Sequence, residues 1–248
     1  MIRPMITAAA LAVLALTPAC ADSAGSKASM SREEIEQIVH EYIVQHPEVI
    51  EEAIYALSAR ERAEAREAAK AAIVENADAL YNLPTDYSIG PADAPVTIVE
   101  FFDYRCGYCK RSVDWVQGLP EAYDNKVRVV FKEHPIFGGV SQDAALAALA
   151  AGRQGKYVEM HIALMKLKSN DDLTSAKIDD LAKGFGLDVG KLRADMKSIE
   201  VQKQLSDALA LGEKLAVDGT PGFFIGDNYY EGAYTDEIEA KIEAALAG

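Results

Sequence analysis

One short segment limits what this chain can fold into more than any other. Residues 95–102, PVTIVEFF, are β-branched and aromatic, as in a buried strand. Cys106 and Cys109 follow, and residues 110–119 then have the apolar spacing of a short amphipathic helix. The order of strand, cysteine pair and helix places Cys106 at a helix N-terminus. Unpaired backbone N–H groups and the helix dipole favour a thiolate there.

The cysteine pair has three interpretations: a structural disulfide, half of a metal site, or a reactive dithiol. A disulfide across so short a loop removes little entropy from the unfolded chain. A structural zinc site needs four ligands, and the four histidines show no metal-ligand spacing, so no metal site is predicted. A reactive pair is favoured, with Cys106 as the attacking thiolate and Cys109 as the sheltered resolving thiol.

The length of the chain indicates its domain content, and its net charge excludes some classes of partner. A chain of 248 residues that is half hydrophobic can bury a full core, with room for an appendage to one large domain. The formal net charge of -14 argues against nucleic acid and anionic membranes as partners, because both would repel the chain. No cofactor is predicted.

The N-terminus predicts export to the periplasm. Arg3 precedes an apolar run at residues 6–16 that has the length of a signal-peptide core. We place the signal peptide at 1–21, with cleavage after Ala21. The alternative is a lipoprotein anchored through Cys20, which is disfavoured because Thr17 stands where a leucine is expected. Cleavage after Ala21 leaves two cysteines, so the pair stands alone.

Two motifs carry a resemblance to a known family. EFFDYRCGYC at 100–109 and GTPGFF at 219–224 resemble the DsbA-like thiol-disulfide oxidoreductases of the bacterial periplasm, which have a thioredoxin fold. The arrangement of the chain is most similar to isomerases of the suppressor-of-copper-sensitivity C (ScsC) type. The resemblance implies that Pro221 is cis and lies against the cysteines, where Thr220 presents its backbone to a substrate strand.

Glu100 matches the position at which relatives carry an acid beneath the active site. The flanking apolar residues leave little polar surface nearby, so we favour a partly buried proton acceptor over a solvent-facing glutamate. Lys132 has two interpretations: its side chain reaches the region of Glu100, or it is a solvated lysine at the end of a strand.

The predicted fold class is α/β: a thioredoxin fold with a helical insertion, preceded by an N-terminal helical interaction segment. A strand at 127–132 is followed by helical patterns until strands resume at 222–225 and 229–231, and a last helix covers 235–246. We assign 83–248 to the catalytic domain, with the insertion at about 139–217, and 22–82 to the N-terminal segment and its spacer.

Apolar residues recur at helical spacing through 31–57, interrupted at His46 and Pro47, and a charged, alanine-rich helical stretch follows at 58–70. An apolar stripe followed by a polar spacer favours an oligomerisation module over a stripe that packs onto the catalytic domain. Residues 31–57 are therefore predicted to join protomers into a homo-oligomer.

The predicted function is that of a disulfide isomerase or reductase for unfolded or misfolded disulfide-containing proteins of the envelope. Relatives of the oxidant type commonly carry Pro-His between the cysteines and valine before the cis proline, whereas this chain has Gly107, Tyr108 and Thr220. A membrane thiol reductase is the predicted redox partner. The alternatives are a dithiol oxidase served by a membrane oxidase and, less favoured, a protein whose two thiolates sequester Cu(I).

Overall fold

The computed structural model describes residues 30–247. The predicted signal peptide, 1–21, and the alternative lipid site at Cys20 lie outside the described residues. The chain divides into two compact units, 1–58 and 59–248. Among residues 30–247, no helix is both long and apolar enough to cross a bilayer.

The first unit contains α1 (Arg32–Gln45) and the beginning of α2 (Glu48–Glu75). Ser31 caps α1, because its hydroxyl accepts a hydrogen bond from the Glu34 N–H while the Glu34 carboxylate accepts one from the Ser31 N–H. α1 ends before Pro47, whose ring cannot continue a helix. The break predicted at His46 and Pro47 is therefore present.

Residues 30–58 contain no buried side chain. Most of the apolar stripe predicted on this segment is exposed to solvent: Ile35, Ile38, Val39, Tyr42, Ile50, Ile54 and Leu57. The four exposed stripe residues of α1, which are Ile35, Ile38, Val39 and Tyr42, fall on one face of the helix, because they follow the spacing i, i+3, i+4 and i+7.

The second unit contains a five-stranded mixed sheet with the order β1-β3-β2-β4-β5. β2 and β3 are parallel, and the other neighbouring strands are antiparallel. The strands are β1 (Tyr87–Ile89), β2 (Val96–Phe102), β3 (Val127–Glu133), β4 (Gly222–Ile225) and β5 (Asn228–Glu231). β1 has no counterpart in the sequence prediction, because three residues are too few to show a period.

Helices surround the sheet and account for most of the chain. Five of them lie between β3 and β4, so the helical insertion of the predicted fold class is present. The helices after α2 are α3 (Ala77–Tyr81), α4 (Gly107–Ala122), α5 (Val140–Gly152), α6 (Tyr157–Met165), α7 (Ser175–Gly184), α8 (Val189–Asp195), α9 (Ile199–Lys214) and α10 (Thr235–Ala247).

β2 is the central strand and is buried on both faces. Ile98 and Phe102 pack into one core with residues of α4, α6 and α10. Val99 and Phe101 pack into a second core with residues of α3 and α9 on the other side of the sheet. Because both faces are covered by helices, the strand is a nearly continuous apolar run, interrupted by Glu100, rather than an alternation.

Lys132 does not reach Glu100. Side chains alternate along β3, so Lys132 faces the core of Val130, and Glu100 faces the other core. Its ammonium donates to the Ala79 carbonyl at 2.7 Å and pairs with Asp86. The side chain is only 1% exposed, so the alternative of a solvated lysine is also wrong.

Candidate active site

Cys106 and Cys109 occupy the start of α4. Cys106 is the residue before the first helical turn, with an extended backbone, and Cys109 lies within that turn. The first N–H groups of a helix have no partner within it, so they are available to a negative charge at Cys106. The order of elements predicted from the sequence is the order found.

Asp103 fixes the turn that leads into Cys106. Its carboxylate accepts hydrogen bonds from the Arg105 N–H at 2.6 Å, the Ser141 hydroxyl at 2.7 Å and the Phe137 N–H at 3.0 Å. The last two donors lie after β3, at residues that are distant in sequence. This one buried side chain therefore holds the cysteine turn and the loop after β3 together.

Both thiols are free and buried, and Cys106 contacts the segment before β4. The Cys106 thiol donates a hydrogen bond to the Thr220 carbonyl oxygen at 3.1 Å. A thiolate cannot donate, so this hydrogen bond belongs to the protonated state. When Cys106 loses its proton, other groups must supply hydrogen bonds to the sulfur.

Several donors meet that requirement, and together they lower the pKa of Cys106 from 9.0 to about 5. The largest cause is a hydrogen bond from the Cys109 thiol, which outweighs the opposing effect of burial. The Thr220 hydroxyl and the backbone N–H groups of Cys109 and Tyr108 contribute further. At neutral pH Cys106 is therefore a thiolate, which is the nucleophilic form.

The Thr220 hydroxyl is a hydrogen-bond donor without a partner in residues 30–247, close to the Cys106 thiol. Its buried hydroxyl completes no hydrogen bond with any described residue while Cys106 is protonated. The peptide bond between Thr220 and Pro221 is cis, as the family resemblance implies. The Pro221 carbonyl accepts a hydrogen bond from the Gly232 N–H at 2.7 Å, which links this segment to the end of β5.

The pKa of Cys109 is shifted in the opposite direction from that of Cys106. Burial is the largest cause that raises its pKa above the ordinary value, and the hydrogen bond that it donates to Cys106 adds to the effect. The negative charge of Glu100 raises it further. The pair thus combines one thiolate with one thiol that keeps its proton at neutral pH.

Glu100 lies in β2 on the side of the sheet that carries the cysteines, and it is 2% exposed. Burial raises the pKa of the Glu100 carboxyl from 4.5 to about 8, and the negative charge of Cys106 adds to the shift. The carboxyl is more completely buried than the sequence predicts. Its position near both sulfurs suits the predicted proton acceptor, a role that stays a prediction.

Glu133 is a further buried carboxyl that was not predicted from the sequence. Glu133 Oε1 accepts hydrogen bonds from the Tyr157 hydroxyl at 2.8 Å and the Tyr104 hydroxyl at 2.9 Å, whereas Oε2 has no partner among the described residues. Burial raises the pKa of Glu133 well above its ordinary value, although both tyrosines oppose the shift. Strand alternation was a usable signal, because it turns Glu133, and not Lys132, towards the cysteine side.

His161 completes this cluster. Its Nδ1 lies 3.2 Å from the Tyr104 hydroxyl oxygen, and burial lowers the pKa of His161 to about 3. The ring is therefore neutral. Because Tyr104 gives its only proton to Glu133, we assign the proton of His161 to Nδ1, where it donates to Tyr104.

The described residues offer little to a metal ion. Within 30–247, no group of three or more His, Cys, Asp and Glu side chains is arranged to hold one. The Cu(I) alternative would rest on Cys106 and Cys109 alone.

Comparison with protein families decides the affiliation of the chain. A thioredoxin family model matches residues 82–244, about two thirds of the chain. The chain belongs to the thioredoxin family. A second family model, the N-terminal domain of the copper resistance protein ScsC, matches residues 32–64.

Solved structures agree with this assignment. ScsC from Proteus mirabilis, in a compact conformation, is 32% identical, with a TM-score of 0.64 and coverage of 87% of this chain and 98% of that one. The thiol-disulfide exchange protein α-DsbA2 of Wolbachia pipientis is 28% identical, with a TM-score of 0.67 and coverage of 74% and 98%. A periplasmic thioredoxin-like protein of Salmonella enterica serovar Typhimurium is 27% identical, with a TM-score of 0.60 and coverage of 69% and 95%.

Curated relatives match about two thirds of this chain. Na(+)/H(+) antiporter NhaA 1 of Salinispora arenicola is 32% identical over 166 residues, which are 66% of this chain and 25% of the antiporter. The chain thus spans about a quarter of the length of such relatives. The predicted resemblance and the predicted fold class are confirmed, and the chain is related to oxidoreductases of the ScsC and DsbA types.

The buried Glu100 carboxyl predicts a pH-dependent stability. Its pKa is about 8 in the folded protein and 4.5 ordinarily, so its contribution is complete below about pH 4.5 and is lost as the pH rises through about 8. In the reduced protein, Glu100→Gln should remove this loss and raise the free energy of unfolding at about pH 9 by on the order of 4 kcal/mol relative to the parent.

Urea unfolding of the reduced parent and variant at about pH 5 and about pH 9 measures the difference. Glu121→Gln is the control, because it removes the same charge from an exposed side chain near the C-terminal end of α4. Equal losses of stability in the parent and in Glu100→Gln would show that Glu100 is not held as a neutral acid.

Proposed function

We propose that the chain is an exported thiol-disulfide oxidoreductase that acts mainly as a disulfide isomerase or reductase on misfolded envelope proteins. The observation that carries the proposal is the contrast between the two sulfurs. Cys106 is a thiolate at a helix N-terminus, and Cys109 is a deeply buried thiol that hydrogen bonds to it. That contrast suits a nucleophile and a resolving thiol.

The reaction begins with attack by the Cys106 thiolate on a disulfide of a client protein. The client disulfide breaks, a mixed disulfide forms, and the released client thiolate takes a proton from solvent. The mixed disulfide removes the negative charge of Cys106 that helps to keep Glu100 protonated, so that its carboxyl can ionise. Reduction is completed when Cys109 gives its proton to the ionised Glu100 carboxylate and attacks the Cys106 sulfur. The second client sulfur leaves as a thiolate and takes a proton from solvent, so the client is released as a dithiol and the Cys106-Cys109 pair is oxidised.

Isomerisation uses the same mixed disulfide with a different exit. A client thiolate attacks another client disulfide, and the rearranged chain then displaces Cys106, so that the enzyme recovers its dithiol with no net transfer of electrons. This route requires a reduced Cys106-Cys109 pair at the outset. A membrane thiol reductase that returns the oxidised pair to the dithiol is therefore the redox partner that we propose.

How far the pKa of Cys106 is lowered affects whether the protein tends to reduce or to oxidise its clients. A value of about 5 lies between those typical of thioredoxin, about 7, and of DsbA, about 3.5. Greater stability of the thiolate makes the disulfide more oxidising, so we expect a reduction potential between about -270 and about -120 mV. The second candidate, a dithiol oxidase, is favoured by the same lowered pKa.

Exposed apolar residues near the thiols support unfolded proteins as clients. Ile136, Phe137 and Val140 are exposed in and beside the loop that Asp103 ties to the cysteine turn. The Arg105 guanidinium carbon lies 5.7 Å from the centre of the Phe137 ring, so this loop adjoins the residue before Cys106. Unfolded chains expose apolar segments that such a surface can hold.

The proposed location is the periplasm. It rests on the signal-peptide pattern of residues 1–21 and on the similarity to a periplasmic thioredoxin-like protein.

The N-terminal segment is proposed to join protomers through residues 31–57. Its exposed apolar stripe and the match of residues 32–64 to the ScsC N-terminal domain support this assembly.

The roles of the two cysteines predict an asymmetric trapping experiment. Cys109→Ala should accumulate mixed disulfides with clients, because Cys106 can still attack but nothing resolves the product. Cys106→Ala should accumulate at least about tenfold fewer, since the remaining thiol is buried and protonated. Non-reducing electrophoresis of the purified variants after incubation with scrambled ribonuclease compares the two.

The double variant Cys106→Ala/Cys109→Ala sets the background of this experiment. More trapping through Cys109 than through Cys106 would reverse the proposed roles. If no mixed disulfide forms with either single variant, the proposed activity is wrong.

The N-terminal stripe predicts a link between assembly and isomerisation. Several active sites facing one client raise the local concentration of reactive thiols around it. Ile38→Glu with Tyr42→Glu should give monomers, because two charges would interrupt the apolar face. Isomerisation of scrambled ribonuclease should fall at least about fivefold, while reduction of a small disulfide stays unchanged.

Light scattering and the two activity assays on the full-length protein measure this link. His40→Glu is the matched control, since it adds a charge to α1 away from the stripe. A parent that is monomeric at micromolar concentration, or a stripe variant that isomerises as well as the parent, would contradict the proposal.

A further inference from the structure

A groove of about 470 Å³ lies beside the cysteine pair. Tyr108, from between the cysteines, and Thr220, which contacts Cys106, form part of its wall, and Glu231 and Tyr234 form another part. A chain that brings a disulfide to Cys106 therefore passes this groove. The residues beside the client cysteine are the ones that would enter it.

Glu231 is the one charged side chain among the residues that line the groove. Its Oε1 lies 2.8 Å from the place that a β-carbon at Gly219 would occupy, so the missing side chain of Gly219 lets the carboxylate lie against the Thr220 segment. Across residues 30–247, no cationic side chain forms an ion pair with Glu231. Its charge is available to a bound chain.

A second acidic residue, Asp218, is adjacent in sequence to the groove residue Gly219. Besides burial, the charges of Glu231 and Asp218 raise the pKa of Tyr229, which lies two positions before Glu231 in β5. One cation, Arg111, lies against the groove residue Tyr108, with its guanidinium carbon 4.2 Å from the centre of the Tyr108 ring. Arg111 is stacked on that ring and does not line the groove.

The aromatic walls also suit a cation. Tyr108 is 60% exposed and Tyr234 is 67% exposed, so both rings can be reached by a bound side chain. A lysine or arginine can lay its apolar stem along such rings while its charge meets a carboxylate. An acidic residue in the same place would face Glu231 at close range.

We propose that the groove selects client cysteines that have lysine or arginine beside them, with Glu231 as the residue that sets this preference. The inference rests on the proposed thiol-disulfide activity and adds a substrate class to it. A basic side chain pairs with Glu231 while Cys106 attacks the neighbouring sulfur, and the preference weakens with salt because the groove is open to solvent.

Peptides with one cysteine, capped as a neutral methyl disulfide, test the preference. They carry lysine, glutamine or glutamate beside the cysteine, on either side. In each productive event Cys106 attacks the peptide sulfur, the peptide disulfide breaks, and methanethiolate leaves and takes a proton from solvent. Mass spectrometry of the full-length Cys109→Ala protein gives the rate at which the peptide-protein disulfide forms.

We expect the lysine peptide to react about tenfold faster than the glutamate peptide at low salt, with glutamine between them, and the ratio to fall at about 1 M salt. Glu231→Gln should reduce the ratio to about threefold or less. Glu121→Gln controls for the loss of one charge from an acidic protein, and it should keep the parent ratio.

The outcomes separate the two proposals. If all peptides react at one rate, or if Glu231→Gln keeps the parent ratio, the charge preference is wrong while the thiol-disulfide activity stands. If no peptide reacts with Cys106, the proposed function fails, and the preference fails with it. A neutral aromatic residue that outperforms lysine would assign the groove to aromatic side chains and would overturn the role of Glu231.

Discussion

The hydrogen bond from the Cys109 thiol to Cys106 is the interaction on which the active site depends. It is the largest cause of the low pKa of Cys106, and it exists only while Cys109 keeps its proton. Burial of Cys109 secures that condition. The stabilisation that the thiolate gives to the reduced fold is complete above about pH 9 and is lost as the pH falls through about 5.

The rest of the fold places groups around this contact. β2 is covered on both faces, so the Glu100 carboxyl on the cysteine side is removed from water, and this burial raises its pKa. Asp103 fixes the turn before Cys106, and the cis bond at Pro221 belongs to the segment that meets the sulfur. The fold thus places one thiolate, one protonated thiol and one buried carboxyl in the same site.

Local patterns predicted the parts of this structure that local chemistry determines. The apolar run before the cysteines, the helix after them and the break at Pro47 each follow from a few adjacent residues. The cluster around Glu133 does not, because it joins Tyr104 to His161, 57 positions away, and no period in the sequence relates them. The buried ion pair of Lys132 could not be predicted from the strand pattern, because its partner, Asp86, lies in a loop outside that pattern.

The most direct test is a pH titration of the reduced protein, followed by the ultraviolet absorbance of the thiolate. Our account predicts one step with a midpoint at about pH 5, which is absent in Cys106→Ser and moves to higher pH in Cys109→Ala, because that variant lacks the donating thiol. A midpoint near the ordinary thiol value of 9.0 in the parent, or the same midpoint with and without Cys109, would contradict it.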